Sequence, residues 1–214
     1  MTATSRAGRL LLTESAALLP LLRATPAADL DRPTLLPGWS VRDVLAHCSA
    51  ALGRAVTGRF HSFSPEDNQR DVDDRAGWPV EQLLTELAAS YAGAAAAMDA
   101  AGGRMDGLAL GEWVHGGDVR DALGVPGAYA SEGLDDALPL LVARSVDRGA
   151  PATTLTLTGP GPERDLALGR PDDEVSARLR TDAATLVRLC AGRSPDPAAF
   201  ELTGAAPHEY LLFT

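Results

Sequence analysis

Apolar residues recur at helical spacing through most of the chain and switch to strand spacing near its end. Leu10, Leu11, Leu18, Leu19 and Leu22 follow the helical period, which predicts a first helix from about Ser5 to Arg23 with Pro20 as a point of bending. Ser40 followed by Asp43 has the S-x-x-[DE] form of a capping box. It stands directly before Val41, Val44, Leu45 and Cys48, so a second helix is expected to begin at Ser40. Residues 58–77 are polar, with Pro65, Asn68 and five acidic residues, and read as a long loop. Pro79 suits a first helical position, and the run from Val80 to Ala101 predicts the longest helix. The stretch from Leu108 to Gly124 reads as a further helix despite Gly116 and Gly117, and a fifth helix is expected from Glu132 to Arg148.

After Gly149-Ala150-Pro151 the period becomes two. TTLTLTG is a half-buried strand with RDLALG as its hairpin partner, EVSARLRT a third strand, and FELTG a fourth after a short helix from Asp182 to Ala191. Helices first and mixed strands afterwards predict a mainly α protein with an α+β tail. The expected division is 1–150 for the helical part and 151–214 for the small α+β part.

Composition narrows the functional classes. At 45% hydrophobic and 22% charged residues the chain can build a core, and at 5% aromatics that core must come from Leu, Val and Ala. A formal charge of −10 argues against nucleic acid or an anionic membrane as partner. All 19 basic residues are Arg, a bias that GC-rich codon usage produces. Cys48 and Cys190 lie far apart and form no CxxC pair, so no disulfide framework is expected. Neither a secretory signal nor a long apolar span stands out, which makes the cytoplasm the expected location.

Four histidines are present: His47, His61, His115 and His208. Glu112 and His115 are three positions apart on one predicted helix, about 60° around its axis, so both can face one object. Two His and one carboxylate with an open position suit a catalytic divalent metal, zinc above all. An E-x-x-H pair is also short enough to be an ordinary helix-surface pair, and the spacing alone leaves both readings open.

LPGWSVRDVLAHC followed by GEWVHGGDVRDALG resembles the paired signature of the mycothiol-dependent maleylpyruvate isomerase family. The tail, with LTLTG, DAATLVRLCAGRSPDP and FELTG, is similar to the C-terminal domain of that family, so the resemblance covers almost the whole chain. It implies a DinB-like four-helix bundle that binds metal, followed by a small, sterol-carrier-like α+β domain. It further implies a divalent metal, usually zinc, held by His47, Glu112 and His115. Family members often place the acidic ligand four residues before the His, whereas Glu112 is three before His115. The resemblance also implies mycothiol, a low-molecular-weight thiol of actinobacteria, as co-substrate. A metal-bound thiolate then attacks a small-molecule electrophile, ending as an S-transferase conjugate or as a cis-trans isomerisation. Arg193 matches a family position where an Arg binds substrate carboxylate; a solvated helix-end charge is the competing reading.

Other residues receive simpler assignments. Asp118 either orients the His115 imidazole or pairs with a nearby Arg. Cys48 and Cys190 are expected in the core. Trp39 reads as a hydrophobic staple before the Ser40 cap, Trp113 as bundle packing and Trp78 as a helix-entry anchor. His61 falls in the long polar stretch, as part of a lid or simply exposed, and His208 carries no signal. A non-catalytic metal- or small-molecule-binding protein of the same fold, or a hydrolase using metal-bound water, stands as the alternative to the thiol-dependent enzyme. A monomer and a homodimer are both compatible with the sequence.

Overall fold

The computed structural model describes residues 4–59, 64–159 and 161–213. His61 lies outside the described residues. The chain forms two compact units: one runs through Ala128 and includes Glu132–Ala137, and the other takes Tyr129–Ser131 and the chain from Leu138 onward.

In the first unit, α1 (Arg6–Ala24), α2 (Val41–Thr57), α4 (Val80–Ala101) and α5 (Asp106–Ala122) pack against one another as a bundle. The apolar stripe of α1 buries Leu10, Leu11, Leu18 and Leu22. Each such side chain contributes about 1.5–3 kcal/mol on leaving water. Ser40 caps α2 through the expected capping box, its backbone N–H and hydroxyl both donating to Asp43 at 2.8 and 2.7 Å. The Ala-rich α4 is the longest helix, and its small residues let the neighbouring helices approach closely while Leu83, Leu87, Tyr91 and Met98 fill the core.

The long loop expected over 58–77 is corrected by the structure. Pro65–Asp73 forms a helix, α3. Ser64 caps it by accepting from the Asp67 N–H at 3.2 Å, Pro65 occupies its first turn, and Glu66 and Asp67 complement its N-terminal dipole. The helix has almost no apolar stripe, burying only Asp71 and Val72, so hydrophobic periodicity does not reveal it.

The fifth helix expected from the patterning is α6 (Leu134–Asp147), and most of it belongs to the second unit. There β1 (Thr153–Thr158), β2 (Arg164–Leu168), β3 (Ala177–Asp182) and β4 (Phe200–Thr203) form a sheet of order β2-β1-β3-β4. β1 pairs antiparallel with β2 and parallel with β3, and β3 pairs antiparallel with β4. Leu155, Leu157 and Leu179 alternate into the core, where α7 (Ala183–Cys190) adds Leu186, Val187 and Leu189. At Gly204, with φ +83°, a Cβ would stand 2.1 Å from the Ser176 carbonyl oxygen, so only glycine fits that turn beside β3. The architecture is the one the patterning predicts, mainly α with an α+β tail.

Candidate functional site

The site is assembled from the middle of α2 and the middle of α5. His47 and His115 face each other edge to face, ring centroids 5.3 Å apart at 84°. His47 is buried at 5% exposure, and its other ring neighbour is Trp39, tilted at 50° with centroids 5.3 Å apart. The Trp39 indole N–H donates to Gln69 Oε1 at 3.0 Å, a contact beyond the staple role expected of it.

Each histidine has one nitrogen committed to a carboxylate. His47 Nδ1 lies 3.3 Å from Asp71 Oδ2, and His115 Nδ1 lies 3.0 Å from Asp118 Oδ2. A carboxylate at this position can orient an imidazole and set its tautomer. Asp118 thus takes the orienting role that the sequence offered as one of two readings. Burial lowers the pKa of His47 against the opposing effect of its hydrogen bond to Asp71, which keeps the ring neutral at neutral pH. Burial also works against ionisation of Asp71, yet hydrogen bonds from His47 and Arg54 hold its carboxyl below the ordinary range.

Glu112 is 1% exposed, and burial pushes its carboxyl up to about 7 against the pull of His115 and of a hydrogen bond from Cys48. Its Oε2 has no hydrogen-bond partner, an expensive arrangement for a buried carboxyl oxygen. The Cys48 thiol donates to Glu112 and is raised well above its usual range by burial first and by that carboxyl second, which holds it as an unreactive thiol in the core. Cys190 is likewise buried, its thiol pushed up to about 12.

A second buried polar group flanks this one. Arg120 donates to both oxygens of Glu14, at 2.8 and 3.0 Å, with Glu14 fully buried and Arg120 4% exposed. Burial pushes Glu14 up to about 7 while Arg120 opposes it. Gly116 makes room for the pair: a Cβ there would stand 1.8 Å from Glu14 Oε1. The glycine that looked like a flaw in the α5 pattern is therefore a packing requirement.

Among the described residues, no group of three or more His, Cys, Asp or Glu side chains is gathered tightly enough to hold a metal as it stands. The donor chemistry nonetheless fits a divalent cation. Two imidazoles keep Nε2 available, and a buried carboxyl oxygen of the neighbouring Glu112 lacks a partner. Arg193 lies in the second unit just after α7, half-buried, with its guanidinium donating to the Ala191 carbonyl. The sequence reading missed Asp71, Arg54, Gln69, Glu14 and Arg120. Gly116 inside a helix was the one local signal that something bulky had to be accommodated.

A helical bundle with a paired-histidine centre, joined to a small α+β unit, defines the class. The comparisons place the chain within it. Residues 11–134 match the profile of the mycothiol maleylpyruvate isomerase N-terminal domain, and the chain belongs to that family. It is similar in fold to a crystal structure of a mycothiol-dependent maleylpyruvate isomerase, at 19% identity and TM-score 0.62, covering 96% of this chain and 95% of the other. A histidine-to-alanine mutant of such an isomerase aligns over the same shares at 17% identity and TM-score 0.56. No curated protein matches the chain. No helix among the described residues is long and apolar enough to cross a membrane.

Proposed function

We propose that this protein is a metal-dependent, mycothiol-using enzyme, a thiol S-transferase or a cis-trans isomerase acting on a small electrophile. The observation that carries the reading is the meeting of His47 and His115, each with Nδ1 held by a carboxylate, beside a buried Glu112 oxygen that has no partner. Family membership supports the choice of thiol.

His47, Glu112 and His115 would hold the cation, zinc being the best match to two imidazoles and one carboxylate. When bound, such a cation acidifies a thiol it meets, which makes mycothiol a nucleophile at neutral pH. The chain's own residues do the remaining work. Asp118 keeps the His115 Nε2 lone pair free, and Trp39 walls one side of His47. Cys48 stays protonated, so the protein's own thiol does not compete with the co-substrate. Arg193 is assigned to the carboxylate of the substrate, where a guanidinium offers two parallel hydrogen bonds. In this reading residues 1–150 carry the metal, residues 151–214 contribute Arg193, and the enzyme works in the cytoplasm.

The test is elemental analysis of protein purified without added metal, beside the His47→Ala and His115→Ala variants. Stoichiometric metal in the parent and its loss in both variants supports the reading; a metal-free parent that takes up none on addition of zinc contradicts it.

A further inference from the structure

The helix α3 supplies no ligand in the scheme above, yet its Asp71 stands directly behind one of them. His47 is enclosed on three sides: Trp39 and His115 flank its ring at 5.3 Å each, and Asp71 of α3 takes its Nδ1 edge at 3.3 Å. Asp71 is itself held. Arg54, two turns beyond His47 on α2, donates to both carboxylate oxygens, to Oδ2 at 2.9 Å and to Oδ1 through its other terminal nitrogen. Asp71 and His47 are 8% and 5% exposed, so water does not compete for these bonds.

A carboxylate that receives a forked guanidinium is an acceptor only. The hydrogen shared with His47 must then sit on the imidazole Nδ1, and the lone pair on Nε2, at the edge of the ring away from α3. We propose that Asp71 is a positioning residue: clamped by Arg54, it fixes His47 in the Nδ1–H tautomer and presents Nε2 as the nitrogen that binds a divalent cation. The cation-binding clause rests on the function proposed above, while the tautomer clause stands on the geometry of Asp71, Arg54 and His47 alone. A purely structural Asp71, tying α3 to α2 through Arg54, would leave the tautomer indifferent to its loss.

The experiment uses the full chain, freed of metal, with two readouts. Long-range proton–nitrogen correlation spectra report the tautomer of each imidazole, and calorimetric titration with zinc reports affinity. The wild-type protein should show His47 as Nδ1–H. Asp71→Ala should move His47 toward the Nε2–H form and lower zinc affinity about tenfold to hundredfold, the range found when carboxylate partners of metal-binding histidines are removed. His115, oriented by Asp118, should keep its tautomer and so report an intact bundle. Arg54→Gln, which leaves Asp71 in place to accept from Nδ1, should retain the His47 tautomer. An unaltered His47 tautomer and zinc affinity in Asp71→Ala would overturn the proposal. An Nε2–H His47 in the wild type would overturn it without any variant, even if Asp71→Ala failed to fold. Absence of zinc binding by the wild type would instead sink the metal reading, and the tautomer spectra would still decide the role of Asp71.

Discussion

His47 of α2 and His115 of α5 touch ring to ring, 68 residues apart in sequence and 5.3 Å apart in space. Two imidazoles in such contact, each with a carboxylate on Nδ1, leave their Nε2 lone pairs as the unspent donors of the bundle. Replacement of either ring by alanine should abolish zinc binding while the helical signal in circular dichroism persists. Retained stoichiometric zinc in both variants would move the metal elsewhere.

Acid should weaken the metal site in a defined window. Burial raises Glu112 to about 7, so its carboxyl holds a proton below that pH and must release it to bind a cation. His47, whose pKa burial lowers, takes up its competing proton only at more acidic pH. Zinc affinity should therefore be near its plateau above pH 7 and fall by about tenfold per pH unit below it, with one proton released on binding. Titration calorimetry in buffers of different ionisation enthalpy measures that proton count. No release at pH 6 would remove Glu112 from the ligand set.

The Glu14–Arg120 pair should matter for stability through the cost of breaking it. Glu14→Ala leaves a buried guanidinium uncompensated and should cost about 3–5 kcal/mol in urea denaturation. Replacing both partners with apolar residues of similar size should cost far less. Gly116→Ala should cost about 1–3 kcal/mol, because its methyl would invade the space of Glu14 Oε1.

These relationships differ in how far the sequence discloses them. The start of α2 is written locally, in Ser40 and Asp43, and the structure has the capping box there. The alternation in TTLTLTG discloses β1, whereas its parallel pairing with β3 depends on contacts no local pattern encodes. α3 was hidden because it lacks an apolar stripe, although Ser64, Pro65, Glu66 and Asp67 spell a helix start. His47 and His115 were legible because histidine is scarce in this chain. Asp71 was not, being one of five acidic residues in a polar stretch, with a partner 24 positions away. Arg120 and Glu14 are 106 positions apart, and only Gly116 hinted at them.

Arg193→Ala should weaken the use of a carboxylated substrate without altering zinc content. Loss of a charge-assisted hydrogen bond costs about 1.5–3 kcal/mol, roughly tenfold to hundredfold in kcat/KM. Arg193→Lys should restore only part of it, since a point charge does not reproduce the guanidinium fork. Unchanged kcat/KM in Arg193→Ala would return that residue to a purely structural role at the end of α7.

The central claim is thiol dependence, and the direct measurement is the initial rate at which zinc-loaded protein consumes a carboxylated cis-alkene such as maleylpyruvate as mycothiol is varied. The account predicts a rate that saturates with mycothiol, vanishes without it and is lost in His47→Ala. Consumption at the same rate without any thiol would identify a hydrolase, and no consumption with thiol present would identify a binding protein; either result contradicts the account.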